Sequence, residues 1–406
     1  LISIEEALDL ILGQAQALPP IRVPLTETLG RALAEDVFSQ DDIPPFDNSA
    51  MDGFAVRAED LRGATAATPS ALRLTETIQA GGHSERPVQS GEAAKIMTGA
   101  PVPPGADTVA KVEVTEEREG RVYISEDPGE GANIRRAGED IGAGDRVLER
   151  GDPIRPAEMG LLASVGRAEV EVHGAPRIAI IATGSELVPP GSPLGAGQIR
   201  DSNSYTLFSL CREMGLKPER LGIAPDEYSA TRQMIEAGLD YDVLLTSGGV
   251  SVGEFDFVKE VQDDLGVERL LWKVAMKPGK PLVFGRRGDS LVFGTPGNPV
   301  AVMVAFEVFV RPALLKMMGF ARYRRPMRRA LLDEAVRNRH GRVHLMRVRA
   351  REEADGRWHV RSTGPQGSGI LRSMHLANGL IFVPTDRQQM GPGEEVDLML
   401  LRDNLV

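Results

Sequence analysis

One cysteine, Cys211, stands in 406 residues. A lone thiol excludes internal disulfides and any multi-cysteine metal site. Positive charge is in deficit, with 47 Lys and Arg against 58 Asp and Glu, net −11. That balance disfavours generic binding to nucleic acid, whose affinity comes from cations neutralising phosphates. A long uninterrupted apolar run is also missing. The most apolar stretch, 300–318, is broken by Glu307, Arg311, Pro312 and Lys316. It predicts a buried helix rather than a membrane span. The opening LISIEEALDLILGQAQ carries no basic leader, and acids interrupt its apolar residues. It predicts an amphipathic helix rather than a signal peptide. These features together predict a soluble, cytoplasmic protein with neither nucleic acid nor membrane as partner.

What is present is enough chain for about two to four domains, with ordinary hydrophobic (42%) and charged (26%) content that excludes wholesale disorder. The charge is uneven. Residues 1–170 carry net −14, residues 171–320 net −3 and residues 321–406 net +6. Ten arginines fall between Arg322 and Arg349. Such a run fits a solvated linker and edge strand, or a surface for anionic ligands.

SIEEALDLIL and LTETLGRALAEDV read as helices within residues 1–40. Between 41 and 150, short apolar-polar alternations such as ALRLTETIQA and DTVAKVEVTEE are separated by Gly and Pro clusters, the pattern of a β-rich domain. From about 176 the pattern changes. RIAIIATG is a continuous apolar run, as for a strand buried on both faces. Strand and helix patterns then alternate through LGIAP, YSATRQMIEAGL, DVLLTSGG, FDFVKEVQDDL, LVFGTPGNP and 300–318. This predicts an α/β domain with a mainly parallel sheet, whose sites lie at the carboxyl ends of the strands. Alternations after 325 predict a small C-terminal β-domain. The expected division is 1–45 with 141–172 as a helical linking domain, 46–140 as a β-rich insertion, 173–322 as the α/β domain and 323–406 as the β-domain.

Four strand ends carry polar chemistry. After IIATG stands Glu186, which suits either a metal ligand or a helix N-terminal charge. LLTSGGVSVGEFDF places Ser247, Gly248, Gly249 and Ser251 before Glu254 and Asp256. Adjacent glycines let backbone amides converge on an anion, or simply make a tight turn. MKPGKP holds Lys277 and Lys280 about a stiff turn, suited to an oxyanion or to solvent. GTPGNP brings Pro296 to the strand mouth, and Asn298 to a helix cap with Pro299 in the first turn. Asp226, after LGIAP, adds a carboxylate at the same edge. Glu186, Asp226 and Asp256 are hard oxygen donors without Cys or His neighbours, which suits Mg²⁺ better than zinc. The constellation suggests phosphoryl or nucleotidyl chemistry. In the N-terminal half, DNSAMDGFAV (Asp47, Asn48, Ser49, Asp52), KIMTGAPVP (Thr98) and NIRRAGEDI (Arg135, Arg136, Glu139, Asp140) are dense in polar residues that also serve plain turns.

Taken in order, FDNSAMDGFAV, IMTGAPVPPGAD, NIRRAGEDI, ATGSEL, GQIRDSNSY, TSGGVSVGEFDF, KPGKP, GTPGNPV and TGPQGSGILRSM resemble the molybdopterin molybdenumtransferase family, which is similar to the gephyrin E-domain. The resemblance implies four subdomains and an elongated homodimer. Its site would lie between the α/β domain of one protomer and the N-terminal regions of the other. The implied reaction consumes adenylylated molybdopterin and molybdate and releases AMP. It implies Mg²⁺ on Glu186, Asp226 and Asp256, phosphate at Ser247, Gly248 and Gly249, and anionic oxygens at Lys277, Lys280 and Arg372. Asp52, Thr98 and Asp140 match functionally important family positions. Transient contacts with the pathway's adenylyltransferase and with cofactor-handling proteins are further implied. The chain departs from the common pattern at Ser185, Phe54, Thr295 and Glu227. The competing readings are the pathway's adenylyltransferase, which shares the α/β fold but needs only about 150 residues, and a non-catalytic cofactor-binding scaffold.

Overall fold

RIAIIATG forms β1 (Ile178–Thr183), a strand with all six residues buried. It pairs in parallel with β2 (Glu219–Ala224) on one side and β3 (Val243–Ser247) on the other. Helix α1 (Asn203–Glu213) leads from β1 to β2, and α2 (Tyr228–Gly238) from β2 to β3. After β3 come α3 (Phe257–Asp264) and β4 (Glu268–Trp272), then the hairpin of β5 (Val283–Arg287) and β6 (Ser290–Thr295). The sheet order is β2-β1-β3-β6-β5-β4. β3 and β6 pair in parallel, whereas the β6–β5 and β5–β4 pairs are antiparallel. The chain leaves β1 first to one side and then returns to the other, so a topological switch lies between β1 and β3. The structure, a computed structural model, describes residues 1–249 and 257–401.

The stretch 300–318 is one buried helix, α4 (299–317), with α-helical turns at Pro299–Ala305 and Arg311–Met317 and a π-helical turn at Phe306–Val310 between them. Pro312 lacks the N–H for an ordinary helical bond, and the ladder widens just before it. Helix α4 shares its core with the N-terminal helix Ile4–Gln14, where Ser3 and Glu6 close a capping box. The second helix expected near the N-terminus does not form. In LTETLGRALAEDV only Leu25–Glu27 coils, as a 3₁₀ turn. Gly30 takes φ 76°, a left-handed conformation that ends a helix. Beyond it Leu33 and Ala34 give their amides to Asp152 and Glu171, so tertiary pairing overrides the local periodicity.

The C-terminal strands β7 (Met327–Leu332), β8 (Val343–Glu352), β9 (Trp358–Ser362), β10 (Gly379–Val383) and β11 (Glu395–Leu400) pair in the cycle β8-β9-β7-β11-β10 and back to β8. Closure leaves no free edge among these five strands. Helix α5 (Leu371–Leu376) lies between β9 and β10 in sequence.

The chain divides into two compact units. The elements above belong to the unit of Leu1–Glu35, Arg150–Pro156 and Glu169–Val406. The other unit, Asp36–Glu149 with Ala157–Ala168, is built on a six-stranded sheet ordered Thr108–Lys111, Gly53–Val56, Glu92–Ile96, Ser70–Ile78, Arg121–Ile124 and Thr115–Arg118. Phe54 and Val56 join one apolar cluster and Ala55 another, the alternation of a strand covered on both faces. Among the described residues no helix is long and apolar enough to cross a membrane.

Candidate active site

Register aligns the strand ends. Thr183 lies opposite Ala224, Ala182 opposite Ser247, and Ser247 opposite Thr295. The segments after β1, β2, β3 and β6 therefore emerge together and line one cleft of about 740 Å³. Its walls include Glu186, Asp226, Ser247, Gly248, Gly249, Pro296 and Asn298. The structure thus gathers seven predicted site residues from four separate motifs. Ser251 and Asp256, with Glu254, lie outside the described residues.

Both visible carboxylates are exposed. Asp226 and Ser185 hold each other: the Ser185 amide donates to Asp226 Oδ2 at 3.0 Å, and the Ser185 hydroxyl accepts from the Asp226 amide at 2.9 Å. Ser185, one of the departures from the family pattern, therefore ties the ends of β1 and β2. Glu186 folds back over Gly184, whose φ is 144° and where a Cβ would meet the Glu186 carboxylate. Gly248 and Gly249 both have positive φ, and a Cβ would strike Thr183 at the first and Val258 at the second. Close packing alone requires these glycines. The Gly248 amide donates to the Thr295 carbonyl at 3.1 Å and so is not available to an anion. Asn298 occupies the N-cap of α4 with Pro299 next, but its side chain makes no capping bond. Its amide group is left at the cleft wall. Sequence reasoning missed Asn203, which donates to the Gly297 carbonyl at 2.8 Å and whose buried Oδ1 meets no donor among the described residues.

Lys277, Lys280 and Arg372 are not in the cleft wall. Lys280 and Arg372 are exposed. Lys277 is half-buried, with Nζ 2.5 Å from His340 Nε2. Burial, and then Arg342 and Arg347, holds its ammonium below the usual lysine range. His344 is buried, and among the described residues neither ring nitrogen meets a partner in normal hydrogen-bond geometry. Among the described residues no carboxylate pairs with Lys277, His340, Arg342, His344 or Arg347. Arg347, fully buried, gives its guanidinium to Ser373 Oγ and to the Gln366, Gly367 and Pro365 carbonyls. The loop it holds reaches the cleft: Gly369 lines the wall, and the Ser368 carbonyl accepts from the Val300 amide in the first turn of α4. The sequence offered only an arginine in a basic run as a signal for this residue.

Desolvation first, and then the neighbouring cations, pushes the His344 ring down to about 4. A histidine held neutral by the fold binds fewer protons folded than unfolded once pH drops below its ordinary value of about 6.5. Its contribution to stability is whole above that value and falls as pH moves from there to about 4. His344→Leu is expected to flatten stability across that window in urea unfolding at a series of pH values. An unchanged slope would remove His344 as its source.

In the other unit, Asp52 precedes strand Gly53–Val56 and Thr98 follows strand Glu92–Ile96. Gly53 lies opposite Ile96, so antiparallel register brings the pair together. Both the Thr98 amide (2.8 Å) and its hydroxyl (2.7 Å) donate to Asp52 Oδ1. These two bonds, the backbone one first, hold the Asp52 carboxyl below the ordinary carboxylate range. Asp52 is therefore an acceptor and anion at neutral pH rather than a proton donor. Thr98→Val should raise its titration midpoint toward the ordinary value of about 3.9, read by carboxyl NMR, while an unmoved midpoint would contradict this account. Asp140 lies apart, in a cleft of about 320 Å³ with Asp145 and Arg146.

Among the described residues no group of three or more His, Cys, Asp or Glu side chains is placed to hold a metal. Glu186 and Asp226 nonetheless face one cleft. A cation that keeps several waters and takes further ligands from substrate phosphates needs only one or two protein carboxylates.

Three family models match in succession: "MoeA N-terminal region (domain I and II)" over 2–166, "Probable molybdopterin binding domain" over 179–316 and "MoeA C-terminal region (domain IV)" over 329–401. The chain is 39% identical to molybdopterin molybdenumtransferase 2 of Mycobacterium tuberculosis over 98% of both chains. It is 37% identical to the molybdopterin molybdenumtransferase of Haemophilus influenzae over 92% of both. The crystal structure of a molybdopterin biosynthesis protein of Pyrococcus horikoshii OT3 superposes with a TM-score of 0.82 at 32% identity, covering 98% of this chain and all of that one. The chain belongs to the molybdopterin molybdenumtransferase family.

Proposed function

We propose that this protein inserts molybdate into adenylylated molybdopterin and releases AMP, yielding molybdenum cofactor. The observation that carries this is the convergence of four strand-end motifs on one cleft at the topological switch, in a chain that matches its relatives end to end. Pro296 and Asn298 shape the wall at the head of α4, and Ser247 and Gly249, which line the same cleft, would bind the adenylate phosphates. Glu186 and Asp226, with Asp256 from the following segment, would hold Mg²⁺. Bound there, the ion supplies Lewis-acid screening of phosphate oxygens.

Molybdate and the adenylylated substrate are both anionic and repel each other. Lys277, Lys280 and Arg372 supply the opposing charge. The chain acts as a cytoplasmic homodimer, with Asp52, Thr98 and Asp140 serving the cleft of a second copy. Asp52, as a fixed anion, orients the Thr98 hydroxyl. Transient contacts with the adenylyltransferase that makes the substrate, and with proteins that take up the product, complete the reading.

The test is incubation with adenylylated molybdopterin and Mg²⁺, with and without molybdate. AMP should appear only when molybdate is present. Formation of adenylylated molybdopterin from ATP would assign the chain to the preceding step instead, and tight binding without turnover would make it a scaffold.

A further inference from the structure

The arginine run of the C-terminal half is mostly committed to internal partners. Arg324 pairs with Asp9, Arg325 with buried Glu307, and Arg329 with Glu395 and Asp397. Along β8 the core residues Met346, Val348 and Ala350 alternate with Arg347, Arg349 and Arg351, so these arginines share the outer face of the closed sheet. Their cross-strand partners on β9 are also basic. Arg351 lies opposite His359, and Arg349 opposite Arg361. Like charges directly opposite destabilise an antiparallel pair. The first pair is compensated: Asp333 accepts from Arg351 at 2.6 Å and meets His359 at 2.9 Å, and Glu353 also binds Arg351. The second pair has no such acid among the described residues. Among the described residues, Arg349 bonds only the Leu376 carbonyl, at 3.2 Å, and Arg361 forms no ion pair.

This uncompensated pair opens on a cavity of about 630 Å³, which Ser362, His375 and Leu376 also line. The cavity is of small-molecule size and is separate in its lining from the strand-end cleft. The Leu376 carbonyl accepts from Arg349 Nε, and the exposed guanidinium shows no partner for its terminal N–H groups among the described residues. Two guanidiniums present planar forks that match tetrahedral oxyanions. Their combined charge matches a phosphate dianion, whereas a single carboxylate would leave half of it unanswered.

We propose that the Arg349–Arg361 pair on the outer face of the C-terminal barrel binds phosphate, as the free anion or as the monoester of a small molecule. The acid that the sheet omits at this pair is replaced by the ligand.

The experiment is isothermal titration of the full chain, in low-salt phosphate-free buffer, with inorganic phosphate and separately with ribose 5-phosphate. The parent should bind, and R349Q/R361Q should bind at least about tenfold more weakly, as expected for loss of charge-assisted bonds. Tighter binding of the ester assigns the cavity to a phosphomonoester, and equal affinities assign the pair to inorganic phosphate. Absence of binding to the parent, or equal binding by the double variant, overturns the proposal. Thermal unfolding supplies a second reading. Without phosphate, R361Q should unfold at or above the parent's midpoint because the repulsion is gone, and only the parent should gain stability on adding phosphate. A lower midpoint for R361Q would show that Arg361 is already compensated within the fold, which also overturns it.

Discussion

Replacing Arg347 with methionine is expected to destabilise the C-terminal barrel by several kcal/mol, because it strips the donor from a set of buried neutral acceptors. The side chain is fully buried, and its bonds run to Ser373 Oγ (3.0 Å) and to the Gly367 (2.9 Å), Gln366 (3.3 Å) and Pro365 (3.4 Å) carbonyls. Methionine fills much of the volume but leaves these acceptors without a donor, at roughly 1–3 kcal/mol for each that water does not reach. Burial pushes the guanidinium down to about 10, so it remains charged at neutral pH. Its acceptors are neutral, so the network depends on fork geometry rather than on an opposite charge. Lysine at this position keeps the charge, reaches fewer carbonyls and should fall between the parent and methionine. Loss of the loop at 363–370 would also unseat Ser368 from the head of α4, so activity should fall with stability. Urea unfolding of Arg347→Met with a midpoint equal to the parent's would contradict this assignment.

Glu186→Gln and Asp226→Asn should each lower the transfer rate by about 10²–10³-fold, equivalent to roughly 2.7–4 kcal/mol of barrier. Both side chains are exposed on the cleft wall, so folding should be intact. Asparagine retains an oxygen to accept the Ser185 amide, and the tie between β1 and β2 should survive. What each variant loses is one negative oxygen donor, and a weaker site demands more metal. The Mg²⁺ concentration for half-maximal rate should therefore rise in both. A rate that falls with an unchanged Mg²⁺ requirement would separate these carboxylates from the ion.

Strands β1, β3 and β6 were legible because they are short runs buried on both faces that end in small polar residues. Helix α4 was legible from its length. The hairpin of β5 and β6 was read only in part, since Gly288 and Asp289 between them look like any exposed turn. LTETLGRALAEDV misled because its apolar spacing suits a helix while its partners, Asp152 and Glu171, lie more than a hundred residues away. Asp52 and Thr98 were visible as separate motifs, but their contact depends on strand register, which a single sequence does not state. Arg347 could not be told from its neighbours. Alternation places it on the outer face with Arg349 and Arg351, and only the covering loop turns it from a surface cation into a buried anchor. The net charge of −11 argued against a class of partner and said nothing of the local cations that an anionic substrate requires.

The most direct measurement follows molybdenum and AMP together in a single turnover. Protein loaded with adenylylated molybdopterin and Mg²⁺ is mixed with radiolabelled molybdate, and both products are counted over time. The account predicts one AMP released for each molybdenum retained on the pterin, at a common rate that falls together in Glu186→Gln. AMP release that proceeds without molybdenum incorporation, or incorporation that leaves the adenylate intact, would contradict it.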